Sequence, residues 1–380
     1  MTDEGEMNMK LLDFDRLQEK IDGIAEYDFS NHKVFGSAYW VCQDGKTFER
    51  CYGTEGLNSS TPITASTVFR LASMTKPITA VATLILVERG LLSLDDPVDK
   101  FLPEFKDIKI TEIDGNSYAP KKIPTIKNIL THTSGIAGES KKFAAMTEAD
   151  KLTLDAAIAF YLKSGLDYEP GTKAAYNGFA AFDVLTKIIE IVSKTDYLAF
   201  LKKEIFAPCE MQDTTFVPTT EQKQRMVEMH TRVDAENSVS EMPEGCIFEN
   251  FPCTHYLGGA GLVSTLRDYI NFAKMLLSRG QTPGGRILSE SIFSQLCTPQ
   301  VSKEIMPQKE RWGLGVRVIA EESTHLIPVG CFGWSGAYGS HFWIDPNHRI
   351  AAVFMKNSKI DGGSGNESAR NFEKAVYASF

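Results

Sequence analysis

Phe69-Arg70-Leu71-Ala72-Ser73-Met74-Thr75-Lys76 is the stretch on which the reading of this chain turns. A serine and a lysine three positions apart share one face of a helix, so the amine can reach the hydroxyl. Serine hydroxyl is a poor nucleophile until a base takes its proton. Lysine can act as that base once desolvation or a neighbouring cation brings its pKa from about 10 toward about 7–8. The apolar lead-in Val68-Phe69-Arg70-Leu71-Ala72 is suited to burying such a pair. Residues 74–89 read as a long helix stopped by Gly90, with Pro77 in the first turn, where its missing N–H costs little. Ser73 is therefore expected at a helix N-terminus, facing N–H groups that favour developing negative charge, and its own N–H is a candidate oxyanion donor. The same spacing recurs at Ser30-Asn31-His32-Lys33, in polar sequence with no helix after it. Helix and lead-in, not spacing, separate the two matches.

Working outward, period-two runs lie near both ends of the chain. Residues 34–42 and 47–52 are rich in Val, Tyr, Phe and Trp and flank Asp44-Gly45, a strong hairpin signal. Strand patterns return at 315–319, 341–344 and 350–355. An amphipathic helix is expected over 10–30 (Leu11, Phe14, Leu17, Ile21) and a closing helix over 366–380. From about residue 95 to 300 helical patterns dominate, interrupted by loops at 131–142, 164–178 and 232–260. The last loop carries Phe248, Phe251 and Tyr256, and such loops often shape a binding site. The expected fold class is α/β (α+β): an antiparallel sheet flanked by the terminal helices, with an all-helical lobe inserted. The sheet domain would comprise 10–90 and 305–380, the helical domain 91–304, with the active site between them.

Composition narrows the function classes. With 380 residues, 43% hydrophobic and 23% charged, the chain can bury a substantial core. A net charge of −9 disfavours both a nucleic-acid-binding face and attraction to anionic membranes. The acidic N-terminus lacks a signal-peptide pattern, and the apolar run at 78–87 is too short to span a bilayer. Seven cysteines without Cys-x-x-Cys spacing suggest reduced thiols in a cytoplasmic protein. No His pair has metal-ligand spacing, no Walker loop is present, and Gly313-Leu314-Gly315 lacks the third glycine of a dinucleotide fingerprint, so neither metal nor cofactor is expected. The absence of Gly-x-Ser-x-Gly argues against a Ser-His-Asp hydrolase of the α/β type. His132, in Thr131-His132-Thr133-Ser134-Gly135, is read as a hydrogen-bonded loop histidine rather than a base.

Acyl transfer also needs a proton donor for the leaving group. Tyr176, in Glu169-Pro170-Gly171-Thr172-Lys173-Ala174-Ala175-Tyr176-Asn177-Gly178, stands just before a helix expected over 180–192. Alone it is as readily a packing residue. Gly333-Trp334-Ser335-Gly336-Ala337-Tyr338-Gly339 enters a predicted edge strand at His341, and its glycines would allow close approach of a ligand. Alone it is a glycine-rich turn.

Together these segments resemble the serine β-lactamase-like, penicillin-binding-protein-related superfamily, and most of all its class C β-lactamase and family VIII carboxylesterase branch. The resemblance implies Ser73 as nucleophile, Lys76 as its general-base partner and Tyr176 as the second-motif tyrosine. Trp334-Ser335-Gly336 stands in the place of that family's Lys-Thr-Gly or His-x-Gly, which would make Ala337 N–H the second oxyanion donor. Leu91-Leu92-Ser93-Leu94-Asp95-Asp96-Pro97-Val98 and Gly258-Gly259-Ala260-Gly261-Leu262-Val263-Ser264 agree in order with family landmarks.

Two departures bear on substrate. The family motif is Tyr-x-Asn, but Gly178 follows Tyr176 by two, and Asn177 should point elsewhere. In β-lactamases that asparagine helps hold the substrate amide. Trp334 replaces a cation suited to a substrate carboxylate, and an indole favours an uncharged, apolar group. Aromatics at 248, 251, 256, 312 and 332 are core by default or, grouped at a cleft, an apolar acyl pocket. The expected activity is that of a serine carboxylesterase on small uncharged ester or amide substrates. The alternatives are β-lactamase or D-peptidase activity, acyl transfer to an acceptor other than water, or a non-catalytic binding protein on the same fold.

Overall fold

The computed structural model describes residues 10–112, 115–136, 144–232, 238–241, 252, 254–322, 327–363 and 365–380. Asp13 caps the first helix, α1 (Phe14–Ser30), by accepting from the N–H groups of Asp15 and Arg16. A hairpin follows, β1 (Gly36–Gln43) and β2 (Lys46–Gly53), in a register pairing Gln43 with Lys46. The two residues left at the turn, Asp44 and Gly45, have φ of +49° and +80°, the signature of the type I′ turn that matches strand twist. Next come β3 (Val68–Arg70), α2 (Thr75–Glu88) and α3 (Ala180–Ser193). β4 (Val263–Thr265) pairs with β3 and leads into α4 (Leu266–Leu277). The chain closes with β5 (Glu310–Trp312), β6 (Arg317–Ile319), β7 (Phe332–Ser335), β8 (His341–Asp345), β9 (Ile350–Met355) and α5 (Glu367–Tyr377).

Seven strands form one antiparallel sheet in the order β5-β6-β7-β8-β9-β1-β2. The N-terminal hairpin thus joins the last strand, with Ala38 opposite Met355 and Cys42 opposite Ala351. This is the expected mixed architecture. β8 lies between β7 and β9 and is not the edge strand predicted from its neighbouring glycines. β7 itself escaped the sequence reading because Gly333 interrupts its pattern.

α1 and α5 pack on one sheet face, where Leu17, Ile21, Tyr39, Trp343, Phe354 and Phe372 form a common cluster. The other face receives α4, which packs on β9, β8 and β1, with the Tyr269 ring edge-on to Phe342 at 5.2 Å. α4 therefore rests on the sheet although its sequence lies within 91–304. α2 is apolar nearly all round and buried from Thr75 to Leu86, as suits a helix enclosed by both parts of the molecule. Its neighbour on the helical side is α3. Among the described residues no helix is long and apolar enough to cross a membrane.

Candidate active site

The turn between β3 and α2 delivers the central pair. Leu71 N–H bonds Leu262 C=O at 2.9 Å, Ala72 turns the chain with φ +45°, and one 3-10 turn over Ala72–Met74 precedes α2. Positive φ on a residue with a Cβ is a strained conformation that recurs at functional turns. Tyr269 OH clamps the turn from below by donating to Met74 C=O at 3.0 Å.

Lys76 is fully buried, and Nζ lies 3.4 Å from Ser73 Oγ, 2.7 Å from Gly178 C=O and 2.8 Å from Gly259 C=O. Its donors are therefore directed by two backbone carbonyls from loops far apart in sequence. The amine also lies over the rings of Tyr176 and Phe182, at 5.0 and 5.2 Å. Burial pulls its pKa below the ordinary lysine value, against the opposing influence of Tyr176 and Asp183. Tyr176 OH lies 2.6 Å from Ser73 Oγ, and the residue remains 43% exposed. The buried Lys76 amine and the Tyr176 phenol thus converge on the Ser73 hydroxyl. Ser30, the other spacing match, ends α1, and its Lys33 pairs with Glu367 instead.

Gly178 has no side chain and takes part through its main chain, its carbonyl oxygen accepting from Lys76. Asn177 points away, as expected. Its Oδ1 accepts from the N–H groups of Phe179 and Ala181 at the start of α3, and its amide donates to Ile136 C=O. His132 supports the tyrosine loop. Its Nδ1 accepts from Asn177 N–H at 3.1 Å, its carbonyl accepts from Ala175 N–H at 2.9 Å, and its ring packs on Tyr176 and Trp312. Burial, reinforced by the charge of Lys76, holds its pKa well below the usual imidazole value, so the ring is neutral.

The end of β7 reaches the same place. Gly336 lies so close to Leu71 that a Cβ on it would stand 2.4 Å from the Leu71 carbonyl oxygen. Trp334 packs against Tyr176 and Trp312, with centroids 5.5 and 4.7 Å away. Ser335, on the opposite face of the strand, bonds His341 Nδ1 at 2.7 Å, and His341 Nε2 bonds Glu373. Its hydroxyl is thus engaged in the sheet rather than facing Tyr176. Ala337 is exposed just beyond the strand. Of the proposed acyl-pocket aromatics, Trp312 stacks on Tyr176 at 6.0 Å and Tyr256 packs on Phe216. Phe332 starts β7, at the far end of that strand, and Phe248 and Phe251 lie outside the described residues.

One buried cluster was not foreseen. Asp183, in the first turn of α3, accepts from Tyr161 OH at 2.8 Å and lies 3.3 Å from His255 Nε2. Burial disfavours a charged His255, but the adjoining carboxylate outweighs it and raises the imidazole pKa. The other Asp183 oxygen is buried without a hydrogen bond among the described residues, and this carboxylate acts on Lys76. No periodicity or motif marks an aspartate and a histidine so far apart in sequence as partners. Among the described residues no cluster of three His, Cys, Asp or Glu is placed to hold a metal ion.

A serine just before a central helix and a lysine in its first turn, set against an antiparallel sheet with flanking terminal helices, is the serine β-lactamase fold, whose members include hydrolases and acyltransferases. This chain belongs to the beta-lactamase family, since the family profile described as Beta-lactamase matches residues 14–375. It is 26% identical to Esterase EstB of Burkholderia gladioli over 388 aligned positions, covering 93% of this chain and 94% of that one. Its fold is similar to that of EstCE1, a hydrolase with promiscuous acyltransferase activity, with TM-score 0.81 and 22% identity over 96% of this chain and 99% of that one. A LovD6 mutant of simvastatin synthase from Aspergillus terreus gives TM-score 0.80 and 21% identity over 96% and 95% of the two chains.

Proposed function

We propose that the protein is a serine carboxylesterase acting on small uncharged esters through an acyl-enzyme on Ser73. The convergence of Lys76 Nζ and Tyr176 OH on Ser73 Oγ, at 3.4 and 2.6 Å, carries this reading. Lys76, its pKa lowered by burial, takes the Ser73 proton when in its neutral form, with Tyr176 assisting. Ser73 Oγ attacks the ester carbonyl, and the N–H groups of Ser73 and Ala337 hold the oxyanion. Tyr176 gives its proton to the departing alcohol and is reprotonated by Lys76, and water, giving up a proton by the same route, then hydrolyses the acyl-enzyme. Ser73, Lys76 and Tyr176 are the catalytic residues in this scheme. Trp334, Gly336 and Ala337 line the substrate side, and Ser335 braces the strand through His341.

The substrate class rests on what stands where a carboxylate would be held. Trp334 offers an apolar indole, and Gly178 has no side-chain amide for a lactam or peptide. Similarity to an esterase is consistent with both. Transfer of the acyl group to another alcohol shares the first half-reaction, and the likeness to EstCE1 keeps it as a second reading. The test is a panel of nitrophenyl esters of increasing chain length, a D-alanyl peptide and a chromogenic cephalosporin. Short esters should be turned over at least a hundredfold faster than the cephalosporin, and comparable rates would refute the ester reading.

A further inference from the structure

At its Ser335–His341 end the β7–β8 pair adjoins the Ser73 turn, whereas its Phe332–Ile344 end lies away from it. A cavity of 610 Å³ opens at that far end, between the C-terminus of α4, the Asp44-Gly45 turn and the turn after β8. That volume lies within the range of small-ligand pockets. Phe293, Phe332, Ile344 and Cys42 line its floor, and none belongs to the Ser73 site.

Three cations stand around this floor: Lys274, Arg279 and Arg349. Two are already committed. Arg349 pairs with Asp44 at 2.7 Å, and Arg279 pairs with Glu290 and donates to Ser294 Oγ. Lys274 differs. It is exposed on α4, has no carboxylate in ion-pair range among the described residues, and lies over the Trp40 ring at 5.6 Å. The cavity therefore presents one uncompensated positive charge above an apolar floor.

We propose that this cavity is a second binding site, for a monoanion with an apolar body such as a medium-chain carboxylate. The headgroup sits on Lys274 and the chain runs over Phe332 and Ile344. A single free ammonium matches a single negative charge. A phosphate would bring nearly two charges and would need the guanidinium forks, which are engaged. A neutral apolar ligand would leave the Lys274 charge unused. This inference is independent of the esterase reading, because the cavity shares no residue with Ser73, Lys76 or Tyr176.

Cys42 provides a local reporter. Burial raises its thiol pKa, while the Gly45 N–H and the Lys274 charge act in the other direction. N-ethylmaleimide labelling of the full chain near about pH 8.5, read peptide by peptide, would compare octanoate, acetate and octan-1-ol at equal concentration. Octanoate should slow labelling of Cys42 several-fold and leave Cys51 and Cys297 unchanged, octan-1-ol should protect Cys42 about fivefold more weakly, and acetate should not protect it. Lys274→Gln should weaken protection by octanoate about fivefold, the worth of a partly exposed ion pair. Equal protection by octan-1-ol, or undiminished protection in Lys274→Gln, would overturn the assignment. Should Cys42 prove too slow to label even without ligand, calorimetric titration of octanoate into wild type and Lys274→Gln decides. Absence of binding, or equal affinity in the two proteins, would sink the proposal.

Discussion

Replacing Lys76 with methionine tests the base directly, because methionine keeps most of the buried stem and removes only the amine. Lys76 is wholly buried, and its Nζ serves Gly178 C=O, Gly259 C=O and Ser73 Oγ. Loss of the amine leaves two buried carbonyls without their donor, each worth about 1–3 kcal/mol. Removing a desolvated amine returns part of that cost, so the net loss of stability is below the sum and the fold survives. The chemical loss is larger. A positioned general base contributes about 10²–10⁴-fold, so kcat/KM for a short nitrophenyl ester should fall about a thousandfold or more. Lys76→Arg should be as inactive, since guanidinium stays protonated and cannot accept the Ser73 proton. The assay is initial rate against ester concentration, with thermal unfolding in parallel. Folded Lys76→Met or Lys76→Arg protein within tenfold of wild-type kcat/KM would refute the role given to the amine.

The acid limb of the pH profile should report Lys76, with activity rising as pH increases through its lowered pKa and the amine loses its proton. Asp183→Asn removes a carboxylate that favours the ammonium, so that limb should move to lower pH. A move to higher pH contradicts the coupling. Gly362 backs the segment after β7: a Cβ there would stand 1.9 Å from Ala337 C=O. Gly362→Ala should therefore shift Ala337 and cost roughly a hundredfold in kcat with circular dichroism unchanged, and unaltered kcat would remove Ala337 from the oxyanion site. Trp334→His should raise cephalosporin turnover relative to ester turnover at least tenfold, as read from the ratio of the two kcat/KM values. A ratio that stays constant or falls would show that Trp334 does not set the substrate class.

Much of the fold was legible because its signals are local. The Asp44-Gly45 turn, the stop of α2 at Gly90 and the apolar run of β9 need only neighbours in sequence. Strands of three or four residues such as β3, β5 and β7 carry too little alternation to register, and Gly333 erased what β7 had. The placement of α4 on the sheet depends on tertiary packing that helical periodicity does not encode. The site divides the same way. Ser73 and Lys76 are one helical turn apart, and Tyr176 follows a recognisable turn. Gly178 and Gly259 act through main-chain carbonyls, which every residue possesses, so no side-chain pattern announces them. Asp183 and His255 meet only because α3 and the loop before β4 fold together.

Covalent labelling of Ser73 is the most direct measurement. Brief exposure of the folded protein to a fluorophosphonate, followed by peptide mass spectrometry, should place one adduct on Ser73. Lys76→Met should slow its formation about a thousandfold, and Ser30 should remain unmodified. An unmodified Ser73 in folded wild-type protein, or labelling that proceeds equally well without Lys76, would contradict the acyl-enzyme mechanism.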